Sequence, residues 1–312
     1  MKPYIRILSI LAISWLLLTL INKLYEKGHE KYFSHQTEKF NTLLKNKDAY
    51  YDVLLIGSSR MHVHYNPQVI DSVAHLSSYN FGVEGGNLLE TNLWLQAYLQ
   101  IHPKPKAVLL DLTSFAFDIE RRPFFNPTIY FPYLNNDIIY NTLSRYKKIG
   151  LYKYMPFLKF LEIDDYNKSI AFQGLFGKKE DQALNYTYNG FAENNHILRP
   201  SENPPRDTNT FKITESGKKL LNTIIDSCSK KNIKLILAFS PYYNDIYVSR
   251  KAAFFAYVKQ VSEKYQLPFL DYRDSYISKD STCFGEWAHL NRRGSTIFSA
   301  DIAGKIVTEL SK

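Results

Sequence analysis

Asp52-Val-Leu-Leu-Ile-Gly-Ser-Ser-Arg60 puts a serine pair directly after an apolar run and a glycine, and Phe284-Gly-Glu-Trp-Ala-His-Leu-Asn-Arg-Arg-Gly294 puts a carboxylate three residues before a histidine. A serine hydroxyl is a weak nucleophile at neutral pH unless a base takes its proton. Histidine does this best when a carboxylate fixes its tautomer and stabilises the imidazolium. A serine of this pair, His289 and Glu286 therefore supply the three parts of a nucleophilic triad. The first string predicts a buried strand ending in a tight turn, the geometry that exposes such a serine.

These strings resemble the blocks of the SGNH (GDSL-like) superfamily of serine esterases and acyltransferases. Its nucleophile follows the first strand in a Gly-Asp-Ser-type turn, and its last block is Asp-x-x-His. The resemblance implies Ser59 as nucleophile, His289 as base and Glu286 as the orienting acid, with Glu replacing the usual Asp. The family's second block, a glycine after the second strand, is matched in Asn80-Phe-Gly-Val-Glu-Gly-Gly-Asn87. This implies an oxyanion site built from the N–H groups of Ser59 and Gly82. The third block, Gly-x-Asn-Asp, has no counterpart, and the corresponding Ala107-Val-Leu-Leu-Asp-Leu-Thr-Ser114 offers Thr113 or Ser114 as the further donor. The matching spans are about 50–114 and 233–305, and the similarity is greatest to membrane-anchored members associated with cell-envelope acylation. The implied activity is an esterase or O-acyltransferase using an acyl donor and an envelope glycan, with a membrane-bound O-acyltransferase as a candidate partner and no cofactor. The other reading is a catalytically inactive SGNH-like glycan-binding or assembly protein, motivated by Glu286 and the absent Asn.

The elements that would position these residues are legible as apolar runs at Val53–Ile56, Ser78–Phe81, Ala107–Leu112, Ile233–Phe239 and Pro268–Leu270. Continuous apolar strands separated by helical periodicity, at about 85–101, 214–231, 248–265 and 291–311, predict a parallel sheet buried on both faces. The expected fold is a three-layer α/β/α, flavodoxin-like domain with a five-stranded parallel sheet. Its ligand site lies at the carboxyl ends of the strands, where Ser59, Gly82, Thr113, Ser114 and Ser240 fall. Residues 115–210 interrupt the alternation with prolines and with aromatics from Phe124 to Tyr154. They are expected to form an insertion over the site, its rings either gripping a sugar or acyl group or making a small aromatic core.

Residues 7–21 are uncharged, and with Pro3–Ile5 they just span a bilayer, Arg6 snorkelling. No small-x-small cleavage site follows, so an uncleaved anchor is favoured over a signal peptide. The expected division is an anchor over 1–28, a helical stalk over 29–50 and the catalytic domain over 51–312. The domain would face the periplasm or cell exterior from an inner or plasma membrane, since a positively charged amino-terminal flank seldom crosses.

The net charge of +9 is scattered in short pairs, which argues against nucleic-acid binding. The glycine-rich stretch lacks Gly-x-Gly-x-x-Gly and so does not point to a nucleotide. His62-x-His64 has no carboxylate or cysteine nearby to complete a ligand set, and no metal is expected. Arg60 would meet an anionic substrate or brace the turn. Asp111 and Asp271 are alternative acids for His289. Cys228 and Cys283 are expected as buried thiols, and Asn291 as the cap of the last helix.

Overall fold

The computed structural model describes residues 2–152, 155, 157–161, 163–179, 184–199, 212–243 and 252–312. Tyr154, Pro200, Pro204, Pro205 and the start of the helix expected from 248 lie outside these residues.

The helices α1 (Pro3–Tyr32) and α2 (Ser34–Leu44) lead into β1 (Val53–Ile56), α3 (Ser59–His64), α4 (Pro67–Ala74), β2 (Ser78–Asn80), α5 (Leu88–Ile101) and β3 (Ala107–Asp111). Then come α6 (Asp137–Ser144), α7 (Phe157–Leu161), α8 (Asp165–Leu175) and the strands β4 (Leu184–Tyr186) and β5 (Ala192–Asn194). The last part holds α9 (Glu215–Lys230), β6 (Lys234–Phe239), α10 (Ala252–Tyr265), β7 (Phe269–Asp271), β8 (Phe284–Glu286), β9 (His289–Leu290) and α11 (Arg292–Leu310).

The main sheet has five parallel strands in the order β2-β1-β3-β6-β7. The protein is thus an α/β protein with the expected five-stranded parallel sheet, to which an apolar amino-terminal helix is joined. Because side chains alternate along a strand, Val53, Leu55, Ala107, Leu109, Ile236 and Ala238 share one face. They pack with Ile70 of α4 and Phe298, Ile302 and Ile306 of α11 in one core cluster. The alternate residues Leu54, Ile56, Val108, Leu110 and Leu237 are equally buried. This explains the absence of polar alternation in these strands: both faces are covered.

Helix ends follow local chemistry. Asn66, Asn87, Thr214 and Asn291 each accept a backbone N–H in the first turn of α4, α5, α9 and α11. The stretch Tyr186–Gly190 forms the turn between β4 and β5, with Asn189 and Gly190 at positive φ. Cys228 and Cys283 are free and buried, and burial pushes the thiol of Cys228 up to about 12.

The chain groups into two compact units, residues 1–41 with 126–182 and residues 42–125 with 183–312. The first helix runs to Tyr32, and residues 126–182 of the insertion group with it in the first unit. In this first unit Gly28 lets the backbones of α1 and α8 approach closely, since a Cβ there would collide with Ala171 O. Tyr130, Phe131, Tyr133 and Tyr152 are buried. Phe40 stacks on Tyr133 at 4.1 Å, and Phe131 meets Tyr152 edge-on at 5.6 Å. These rings form a local aromatic core, the second of the two roles open to them.

Candidate active site

Ser59, Glu286 and His289 all lie in the second unit. After β1 the chain turns at Gly57, whose φ of +157° disfavours a side chain and where a Cβ would sit tightly against Met61 Cβ (3.0 Å) and Asp111 O (3.1 Å). Ser58 is the extended residue before α3, and Ser59 is its first helical residue. An N–H in the first turn of a helix has no intrahelical acceptor, so the Ser59 amide is unpaired by its own helix.

Glu286 and His289 sit directly opposite each other in the β8–β9 ladder, joined by the two-residue turn Trp287–Ala288. Opposed residues of an antiparallel pair project to one face, so a hairpin brings together a carboxylate and an imidazole three positions apart. Trp287 anchors the turn. It is buried against Tyr243 at 5.5 Å, and its carbonyl accepts the Tyr243 N–H at 3.2 Å.

His289 Nε2 lies 2.9 Å from Ser59 Oγ. On the other side of the ring, Nδ1 hydrogen-bonds Glu286 Oε1, and Oε2 accepts the Ala288 N–H at 3.1 Å. With the proton on Nδ1 directed to the carboxylate, Nε2 is free to accept from the serine. Burial pushes the Glu286 carboxyl up. The hydrogen bond and charge of His289 and the Ala288 N–H more than offset this and hold it below the usual range.

Neither alternative acid reaches His289. Asp271 pairs with Arg273 at 2.5 Å. Asp111 accepts the Tyr65 hydroxyl at 2.8 Å and the Ser240 N–H at 2.9 Å. Burial pushes the Asp111 carboxyl up, against the pull of Arg60, Tyr65 and Ser240.

Gly82 departs from its expected role. Its N–H donates to Asn80 Oδ1 at 2.9 Å and is not left open for an oxyanion. The glycine is required for another reason: a Cβ at Gly82 would collide with the His62 backbone, in the first turns of α3. Thr113 and Ser114 follow β3, whose register pairs Leu110 with Ile56 of β1. Their hydroxyls, like that of Ser58, are buried with no hydrogen-bond partner in the protein. Buried hydroxyls are ordinarily satisfied, so these three, after β1 and β3, lack the partner that such groups usually have.

Two supports hold the turn, of which only the Arg60 brace was among the readings of the sequence. Asn80 Nδ2 donates to Met61 O at 2.7 Å and Tyr65 O at 2.8 Å, clamping the middle of α3 and the residue that follows it. The one available signal was a polar residue at the end of a buried strand. The second support is a buried network. Arg60 donates through Nη2 to Ser240 O and, at 2.7 Å, to Ser240 Oγ. Its guanidinium lies over the rings of Phe239 (4.5 Å) and Tyr242 (3.9 Å). Arg60 is thus a brace.

His64 completes this network. Its Nε2 accepts the Leu290 N–H at 3.1 Å, which places the proton on Nδ1, 2.9 Å from Ser240 Oγ. Burial, then the charges of Arg60 and His289, hold its pKa well below the ordinary histidine value. The neutral ring lies edge-on to His289 at 5.9 Å, and its bond from the Leu290 N–H steadies β9. Among the described residues no group of three or more His, Cys, Asp or Glu is placed to hold a metal ion.

No protein-family model matches the chain, and no curated protein does. Similar solved structures include a lipolytic protein of the G-D-S-L family from Desulfitobacterium hafniense, at TM-score 0.43 and 10% identity, covering 82% of this chain and 98% of that one. An acylhydrolase from Bacteroides fragilis is similar at TM-score 0.42 and 10% identity, covering 83% of this chain and 88% of the other.

Proposed function

We propose that the protein is a serine-dependent acyl-ester enzyme of SGNH type, held in a membrane by α1. The observation that carries this reading is the continuous chain from Ser59 Oγ through His289 to Glu286. In the first step Ser59 Oγ attacks the ester carbonyl as its proton passes to His289 Nε2. The tetrahedral intermediate collapses, the C–O bond to the alcohol breaks, and His289 returns the proton to the leaving oxygen. The acyl-Ser59 ester is then attacked by water or a sugar hydroxyl, with His289 again taking and returning a proton. The Ser59 N–H and the hydroxyls of Thr113 and Ser114 are the proposed oxyanion donors, and loss of one such donor costs about 100- to 1,000-fold.

The acceptor proposed is a hydroxyl of an extracytoplasmic envelope glycan, with a membrane-bound O-acyltransferase as the partner that supplies acyl groups. This part rests on the sequence resemblance and the apolar helix. A binding protein without turnover is the second reading, and the engaged Gly82 N–H favours it. A fluorophosphonate probe separates the two: the first expects labelling of the wild-type protein that is lost in Ser59→Ala, the second no labelling of either. Radiolabelled acyl donor with purified envelope glycan then tests the acceptor. Label appearing only as free acid refutes transfer.

A further inference from the structure

The carboxyl-terminal half of α1 and the helices α7 and α8 carry an apolar surface that the catalytic reading does not use. No side chain of α1 before Asn22 is buried, whereas Asn22, Tyr25, Gly28 and His29 are. The bare stretch from residue 4 to 21 is about 27 Å long at the α-helical rise. A bilayer's hydrocarbon core is about 30 Å thick. The protein cover of α1 therefore begins at the level where a bilayer crossed by this helix would end.

At that level lies a groove of about 440 Å³. Ile21, Leu24 and Tyr25 of α1 form one wall, and Phe160, Phe172 and Leu175 face them. Lys168 lies at the same groove, its ammonium 5.4 Å from the centre of the Phe160 ring and 3.4 Å from Asp165. The surface beside it is apolar and open to solvent: Leu161 is 62% exposed, Tyr166 74%, Phe172 63% and Phe176 77%. Amphipathic aromatics gather at membrane boundaries, where a ring enters lipid and a polar tip stays wet, and lysines there extend to phosphate.

Resting on the membrane-anchor reading, we propose that this groove takes one acyl chain of a bilayer phospholipid, with the Lys168 ammonium toward its phosphate, so that α8 lies in the lipid–water boundary beside α1. One wall of the groove is a direct continuation of the apolar face of the anchor, which makes a lipid chain its occupant. The arrangement fixes the height of α7 and α8 on the membrane instead of leaving them on a free tether.

The test uses the full chain in phosphatidylcholine vesicles whose acyl chains carry bromine, a short-range quencher of tryptophan, either near the ester or near the terminal methyl. Trp94 and Trp287 are buried and give a constant background. In the wild-type chain Trp15, near the middle of the bare stretch, reports the anchor and is quenched most by bromine near the methyl end. Phe172→Trp in a Trp15→Phe background reports the groove. Its introduced indole is expected to be quenched most by bromine near the ester and to be shielded from aqueous iodide. Quenching of Trp15 in the wild-type chain, with an indole at position 172 that bromine leaves unquenched and iodide reaches, overturns the groove proposal and leaves the anchor standing. Shielding of the position-172 indole from both quenchers also overturns it, in favour of a protein partner. An unquenched Trp15 overturns the anchor itself. Tyr166→Trp in the same background gives a second reporter should Phe172→Trp fold poorly.

Discussion

Glu286→Gln keeps the shape of the acid and removes its charge, so its effect measures what that charge does for the imidazolium formed during acyl transfer. Two unit charges about 4 Å apart interact by about 4 kcal/mol at an effective dielectric of about 20 and by about 1 kcal/mol in bulk water. The side chains of His289 and Glu286 are 29% and 48% exposed, so the pair lies between these limits. A loss of roughly 2–3 kcal/mol follows, or about 30- to 150-fold in kcat/KM. The amide also competes for the tautomer, because its NH2 can face the imidazole; the carboxamide oxygen must win to preserve the Nδ1 proton. With a soluble p-nitrophenyl ester the loss is expected in kcat with KM little changed, since substrate is not in contact with the acid. A variant with wild-type kcat/KM, or one as inactive as Ser59→Ala, refutes the reasoning.

Ser59→Ala and His289→Ala are each expected to lower ester cleavage by about 1,000-fold or more, and the double variant to be little worse than either, because the residues act as a unit; additive losses argue against a shared step. Asn80→Ala removes three buried hydrogen bonds to backbone groups. At about 1–3 kcal/mol for each of the three groups left unsatisfied, stability falls by roughly 3–9 kcal/mol, read as the urea midpoint, and a loss below about 1 kcal/mol speaks against the clamp. Asp71, driven by burial to a pKa of about 6 despite the Ser78 hydrogen bond, binds its proton more tightly folded than unfolded. Stability from this group therefore declines as pH rises from about 4 to about 6, and Asp71→Asn flattens the Tm–pH curve in that window. An unchanged curve refutes that assignment. The intact chain is expected in the membrane fraction, and recovery of a soluble form beginning near residue 22–30 contradicts an uncleaved anchor.

The sequence by itself determined the parts that are local or periodic. Apolar runs without polar alternation specify strands covered on both faces, and all five strands of the sheet lie within about one residue of their expected positions. The Gly57 turn is also local in its positive φ, a backbone conformation that residues with a side chain rarely adopt. So is the capping of α11 by Asn291. The pairing of Glu286 with His289 was visible as a spacing, although the reason for it is a hairpin, which the apolar pattern alone did not distinguish from a loop. Tertiary structure decided what depends on residues far apart in the chain. Asp111 and Glu286 were both carboxylates available to His289, and only the packing of Tyr65 and Ser240 around Asp111 removes it from that competition. Gly82 lies in the expected block, yet the neighbouring Asn80 claims its N–H and the α3 backbone accounts for its missing side chain. Aromatic residues 126–152 carried no period that distinguishes a ligand surface from a core. Burial of Tyr130 and Phe131 in the unit built on α1 is a long-range packing outcome, and composition holds no record of which surface an apolar ring will meet.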